Sequence, residues 1–182
     1  QPASGGRSLR KRPKAEADRW GFSPVDQLMC RIQFRNSNYD GYLTPPSVDK
    51  PWIQYPGYNG GSDWGSVAID PVRRVLIANY NDVPNRNQLV PRAQADAMGV
   101  QPIYASKDAN AKAAGKGEGG ASVYPQVKAA YAISVNSGWR NIGTGVPCTA
   151  PPYGGIRAIN LDTGKTLWDG PLGTARRNGP FG

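Results

Sequence analysis

Between Gly60 and Asn81 the chain reads GGSDWGSVAIDPVRRVLIANYN, a β-hairpin written out in sequence. Ser66-Val67-Ala68-Ile69 and Val75-Leu76-Ile77-Ala78 are short runs rich in β-branched residues. Asp70-Pro71-Val72-Arg73-Arg74 between them supplies the turn, with Pro71 fixing φ near −65° where the chain must reverse. Gly60, Gly61, Ser62, Asp63 and Trp64 precede the first strand, and Asn79, Tyr80, Asn81 and Asp82 come straight after the second. Reversal brings these polar clusters to one end of the hairpin. That edge would carry a carboxylate, an indole and two amides, a wall suited to a flat polar ligand. The same residues have a plainer reading, because Asn and Asp after a strand commonly make turns and Trp beside Gly commonly fills a core.

Composition favours this architecture elsewhere too. The chain of 182 residues holds 23 Gly and 17 Pro against three Phe and two Met, which points to short strands and long loops rather than helices. It begins at Gln1 without a Met, and we read it as a piece of a longer polypeptide. No window of about eighteen apolar residues spans a membrane, and no signal-peptide pattern is present.

The formal charge of +9 raises nucleic-acid binding, but its distribution argues against it. Arg7, Arg10, Lys11, Arg12, Lys14 and Arg19 cluster in the first nineteen residues with Glu16 and Asp18, and the other cations are scattered without a basic stripe interleaved with aromatics. A solvated loop of the parent protein fits better. There is no His, which excludes Ser-His and Cys-His catalysis, His-ligated zinc and c-type haem. Cys30 and Cys148 form no CxxC motif. They can pair in an oxidising compartment or stay as two buried thiols, and the sequence leaves both open.

Along the chain, residues 1–19 read as a basic, flexible segment. Asp26 to Phe34 (DQLMCRIQF) places Leu28, Cys30, Ile32 and Phe34 on one face, which predicts a half-buried strand, with a helical turn over Val25–Met29 as the rival. Trp52-Ile53-Gln54-Tyr55 is a short strand. After Asn81 regularity fades, with a short helix predicted around Arg92 to Met98. Residues 107–121 read as a flexible, low-complexity insertion. Ala130 to Val135 is a strand. Gly155 to Leu161, a turn at Asp162-Thr163-Gly164-Lys165, and Thr166-Leu167-Trp168 make a second hairpin, with Gly164 meeting a positive φ and Trp168 an inward aromatic at a fixed offset from Ala158. Strand pairs with Trp at a repeated station suggest four-stranded propeller blades.

The second hairpin, AINLDTGKTLW, resembles the tryptophan-docking motif of quinoprotein dehydrogenase propellers, with Asn160 where that motif usually carries Asp. WGFSPVDQLMCRIQF, YDGYLTPPS, YPGYNGGSDWGSVAIDPVRRVLIANYND, LVPRAQAD, GVPCTAPPYGGIRAINLDTGKTLW and DGPLGTARRNGPFG follow in order. Together they resemble the membrane-bound, PQQ-dependent dehydrogenases of the glucose/quinate/shikimate family, over nearly the whole chain from Trp20 onward.

The resemblance implies an all-β fold, two to three blades of an eight-bladed β-propeller, with residues 20–182 inside the PQQ-binding domain. It implies PQQ on the propeller axis with Ca²⁺ or another divalent cation, both held mainly by parts outside this chain. It implies hydride transfer from a sugar, polyol or cyclic hydroxy acid to PQQ, a carboxylate base taking the hydroxyl proton, and ubiquinone as electron acceptor. N-terminal membrane helices would anchor the parent in the inner membrane, with this domain in the periplasm. The family's catalytic aspartate and cofactor-contacting lysine match no position here, so no catalytic or metal-ligating residue is assigned to this chain.

What carries over is Asn79 of the IAN ending, matching a family residue that contacts the quinone. Its NH₂ can donate to a quinone or carboxylate oxygen while its C=O accepts. Asp63, Trp64 and Tyr153 are further cofactor-binding candidates. A non-enzymatic propeller scaffold is the alternative, and the polar edge around Asn79 is what separates the two readings. An incomplete propeller leaves open sheet edges, so the isolated polypeptide is expected to be marginally stable or to associate.

Overall fold

The computed structural model describes residues 13–58, 61–62, 67–100, 115–116 and 122–173. Residues 1–12 of the basic segment and nearly all of the expected insertion at 107–121 lie outside that set. The chain divides into two compact units. One comprises residues 1–12, 59–83 and 151–182, the other residues 13–58 and 84–150.

The first unit is one four-stranded antiparallel sheet. Its strands are β2 (Val67–Asp70), β3 (Val75–Asn81), β8 (Gly154–Asn160) and β9 (Thr166–Pro171), in the order β2-β3-β8-β9. Both hairpins expected from sequence form, in register Val67↔Ala78 and Ala158↔Trp168. In the first turn, Asp70 Oδ1 accepts from the Val72 and Arg73 amides at 3.0 and 2.9 Å, and Arg74 adopts φ 53°. In the second, Asn160 Oδ1 accepts from the Thr163 amide and hydroxyl at 2.8 and 3.0 Å, and Gly164 has φ 66°. An amide oxygen is all this turn requires, which explains why Asn serves where the motif usually has Asp. The two turns are joined by the Leu161 amide donating to Arg74 O at 2.8 Å and by contact between the Arg74 guanidinium and Asp162.

Trp168 departs from expectation. It stands opposite Ala158, which is fully buried, yet 48% of its own surface is exposed, as are comparable fractions of Val67, Ile69 and Leu167. A single sheet has nothing of its own to lay over both faces, so these side chains would be buried only against another layer.

The second unit carries a five-stranded antiparallel sheet of order β1-β4-β7-β6-β5, from β1 (Trp52–Gln54), β4 (Asn85–Pro91), β5 (Gly115–Lys116), β6 (Ser122–Tyr124) and β7 (Tyr131–Asn136). The helix expected after β4 forms as α2 (Arg92–Ala97). It packs its Ala95 into a cluster with Val90, Val100, Val123 and Ala132.

The predicted strand over Asp26–Phe34 is instead α1 (Pro24–Arg35). Its start is written in SPVD: the Ser23 hydroxyl accepts from the Asp26 amide at 3.1 Å, the Asp26 carboxylate accepts from the Ser23 amide at 3.2 Å, and Pro24 fills the first helical position. The buried side chains are Asp26, Cys30 and Gln33, at helical spacing, while Val25, Leu28, Met29 and Ile32 are exposed. The inward face is thus partly polar and the outward face apolar, which is why an apolar count misread the element. Helix α1 is thus the element that departs from the strand-and-loop expectation, since α2 was foreseen. Defined structure is also present before Trp20, with a 3-10 turn at Glu16–Asp18 and a buried Arg19.

Cys30 and Cys148 form a disulfide, settling the alternative that the sequence left open. Around it pack Ile53 and Trp139, both fully buried, with Phe34 and Tyr39 against them. The Trp139 indole N–H donates to Gln33 Oε1 at 2.9 Å, and the Arg19 guanidinium lies 4.7 Å from the Trp139 ring centroid.

Candidate functional site

In the first unit, antiparallel pairing sets the end of β3 beside the start of β8, through Asn79↔Ile156, Tyr80↔Gly155 and Asn81↔Gly154. Two further bonds fasten loops to that end. The Asn81 amide donates to Gly61 O at 2.7 Å, and the Asp82 amide donates to Tyr153 O at 2.9 Å. These pairings and bonds bring Asn79, Asn81, Asp82, Gly61 and Tyr153 to one end of the sheet. Asp63 and Trp64 lie outside the described residues.

Asn79 lies within a regular strand, is exposed, and its side chain has no hydrogen-bond partner among the described residues. This removes the turn-forming explanation. Asn160 shows what a turn-forming Asn looks like, with two local bonds to its Oδ1. A strand amide left open to solvent keeps both NH₂ donors and its carbonyl available to a ligand. Tyr153 is at the same end with 36% of its surface exposed.

Alternation sends Ala78 and Tyr80 to the opposite face, where both are buried. The Tyr80 hydroxyl donates to Asp169 Oδ1 at 2.8 Å. Arg157 donates from Nε to Asp169 Oδ2 at 3.0 Å and lies 5.2 Å from the Tyr80 ring centroid. Both carboxylate oxygens of Asp169 are engaged, and burial followed by the Asp169 bond pushes the Tyr80 phenol above its ordinary pKa.

Two glycines make this possible. A Cβ on Gly155 would sit 2.6 Å from the Tyr80 hydroxyl and 2.7 Å from Gly170 O, and one on Gly154 would sit 2.6 Å from Tyr80 O. Sequence reasoning passed over this network. Its signal was the Gly-Gly pair at the head of a strand, which marks a close approach.

No group of three or more His, Cys, Asp or Glu side chains able to hold a metal occurs among the described residues. None of their helices is long and apolar enough to cross a membrane.

A family model described as glucose/ethanol/alcohol dehydrogenase, beta-propeller domain (PQQ) matches residues 1–182. The chain is 53% identical over 184 residues to the glycerol dehydrogenase large subunit of Gluconobacter oxydans (strain 621H), covering 100% of this chain and 24% of that protein. It is 36% identical over 170 residues to the probable quinate dehydrogenase (quinone) of Xanthomonas campestris pv. juglandis, covering 92% of this chain and 19% of the relative. It is also 36% identical over 166 residues to the quinoprotein glucose dehydrogenase of Escherichia coli (strain K12), covering 91% and 19%. The chain spans about a quarter or less of the length of the curated relatives it matches. Its hairpins, its four-stranded antiparallel sheet and this family match agree: the chain is part of a β-propeller and belongs to the PQQ-dependent glucose/ethanol/alcohol dehydrogenase propeller family.

Proposed function

We propose that the parent of this chain is a quinoprotein dehydrogenase that oxidises a polyol, sugar or cyclic hydroxy acid, and that this chain supplies part of the wall around its PQQ. The observation that carries the reading is the exposed Asn79 amide, unpartnered among the described residues and held in a regular strand at the polar end of the sheet. That amide fits PQQ chemically, since the cofactor presents carbonyl and carboxylate oxygens that take an N–H donor. When bound, PQQ supplies the hydride acceptor for the CH–OH carbon of the substrate.

In this chain Asn79 would donate to one of those oxygens and hold the ring edge. Tyr153 would border the same space. Asp63 and Trp64, from the loop before β2, are proposed alongside them on sequence grounds. The Tyr80–Asp169–Arg157 network on the opposite face keeps β3 and β8 in fixed register, so the Asn79 amide is presented without reorganisation. The catalytic base and the ligands of a Ca²⁺ or similar cation are assigned to the rest of the parent.

Electron delivery to ubiquinone, membrane anchoring by helices elsewhere in the parent, and a periplasmic site complete the proposal. The Cys30–Cys148 disulfide is in keeping with an oxidising compartment.

The test is PQQ-dependent dye reduction by the full-length parent with Ca²⁺, offering glycerol, glucose, quinate and shikimate in parallel, for wild type and Asn79→Ala. The expected result is activity on at least one substrate, lost in the variant and restored by excess PQQ. Unchanged activity in the variant would remove Asn79 from the cofactor wall. Inactivity on every substrate would favour a non-enzymatic propeller scaffold.

A further inference from the structure

The second unit buries a cation without giving its terminal nitrogens an acceptor. Arg19 is only 1% exposed, and neither Nη1 nor Nη2 has a hydrogen-bond partner among the described residues. Its Nε alone is used, donating to Ala15 O at 3.2 Å. Gln33 Nε2 and Thr149 Oγ1 are buried and unpartnered in the same way. The fold gathers these three residues around one indole. The antiparallel bridge Arg19↔Thr149 sets both side chains on the same face. Gln33 Oε1 accepts from the Trp139 indole N–H at 2.9 Å, and the Arg19 guanidinium lies 4.7 Å from the centroid of that indole.

The carboxylates nearest in sequence are committed elsewhere. Asp18 Oδ2 accepts from the Ala15 amide at 2.8 Å, and Glu16 pairs with Arg31 and Arg35. Asp26 accepts from Ser23, Asn141 and Thr144. The Phe34 ring, 5.3 Å from the guanidinium carbon, and the Trp139 ring attract the charge, but ring faces are weak hydrogen-bond acceptors. Burial lowers the Arg19 pKa to about 10, opposed by Asp18 and Tyr39, so the group stays charged at neutral pH. Its terminal nitrogens are already enclosed by this chain, so a side chain from elsewhere in the parent has no route to them.

The orphaned groups select the ligand class, because every one of them can donate. A guanidinium and a primary amide nitrogen offer only N–H, and the threonine hydroxyl can turn its hydrogen inward. Buried donors require an acceptor, and a buried charge requires an opposite one. Water supplies the first and not the second. A carboxylate- or phosphate-bearing molecule supplies both, but its substituents need an opening that a fully enclosed group lacks. A monatomic anion accepts from several directions, offsets one positive charge and needs the least room. We infer that Arg19, Gln33 and Thr149 enclose a single halide ion, chloride under ordinary conditions, beside the Cys30–Cys148 disulfide and apart from the proposed cofactor wall.

The test is thermal unfolding of the full-length parent as sodium chloride or bromide replaces sodium methanesulfonate at constant ionic strength. A ligand held only by the folded state raises the melting temperature with its concentration. The expected result is a rise with chloride and with bromide. Thr149→Val, close in shape but without the hydroxyl, should need about fivefold more chloride for the same rise, the loss of roughly one hydrogen bond. Gln33→Glu keeps an oxygen for the Trp139 indole and brings a carboxylate to Arg19, so its melting should no longer respond to halide. Arg19→Met should lose the response too, and if that variant does not fold, Gln33→Glu decides. Crystals of the parent soaked in bromide should show one anomalous peak beside Arg19 in wild type and none in Gln33→Glu. Wild-type melting indifferent to halide would leave water as the acceptor and overturn the inference. An equal halide response in wild type and Gln33→Glu would overturn it as well, as would a bromide-soaked wild type with no peak at Arg19.

Discussion

Tyr80 on β3 reaches across β8 to donate its hydroxyl hydrogen bond to Asp169 on β9, at 2.8 Å, and it can do so because Gly155, directly opposite it in the register, has no side chain. Three strands are tied by one phenol, and the tie has a single point of failure. In Gly155→Ala the new Cβ meets the Tyr80 hydroxyl at 2.6 Å and the backbone oxygen of Gly170 at 2.7 Å, and a backbone atom cannot step aside as a flexible side chain could. We expect a loss of about 1–3 kcal/mol, the usual cost of overpacking. Hydrogen exchange at the amides of β8 and β9 in the full-length protein checks it, and protection equal to wild type would contradict it.

The Cys30–Cys148 disulfide closes a loop of sequence separation 118 around Trp139 and Ile53. Replacing both cysteines by serine should cost about 2–5 kcal/mol under oxidising conditions. The urea midpoint of the second unit's unfolding should fall accordingly. The same fall should follow addition of reductant to the wild type, and the double variant should no longer respond to it.

Asp26 sets a pH dependence whose sign follows from its surroundings. Its Oδ1 accepts from the Thr144 hydroxyl at 2.7 Å and the Asn141 amide at 2.9 Å, and its Oδ2 from Ser23. The Thr144 bond, then the Ser23 bond, hold its pKa below the ordinary carboxylate value of about 4. A group depressed on folding stabilises fully above its unfolded pKa and loses that contribution as pH falls through the folded value. The second unit should therefore weaken on acidification below about pH 4. Asp26→Asn should be less stable at neutral pH and show a shallower acid slope. Equal slopes in denaturant titrations at pH 3 to 7 would show the carboxylate to be irrelevant.

Asn79 and Asn160 should separate cleanly. Asn160→Ala removes both bonds that shape the β8–β9 turn, so stability should drop by about 1 kcal/mol with PQQ affinity unchanged. Asn79→Ala removes no bond among the described residues, so PQQ affinity should fall with little change in stability. Calorimetric titration of PQQ into the apo-parent, paired with thermal melts, tests both, and a reversed pattern would exchange the roles.

Much of the first unit was legible because its information is local. Alternating β-branched runs, Asp70-Pro71 and Asp162-Thr163-Gly164 write both hairpins, and the paired ends follow from chain reversal alone. The second unit resisted for a definite reason. Strand β4 is NRNQLVP, and its buried positions include Asn85 and Asn87, so no apolar alternation announces it. Helix α1 buries Asp26 and Gln33 and exposes Leu28 and Ile32, so its apolar residues trace the wrong face. Its Ser23–Asp26 capping pair was the dependable signal. Asn79 was singled out by its family resemblance but expected just after the strand, and its place within β3, like the Tyr80–Asp169 bond, needed the long-range pairing of β3 with β8 to become visible.

The first sheet is interrupted: β3 ends at Asn81, its partner β8 begins at Gly154, and residues 82–153 intervene. On a ribosome adding roughly 5–20 residues per second, β3 waits about 4–14 s before the strand that completes its hydrogen bonding has been made. For that interval its backbone donors and acceptors face whatever else is nearby. The nascent chain thus carries a timed vulnerability, and every residue added between Asp82 and Tyr153 would lengthen it.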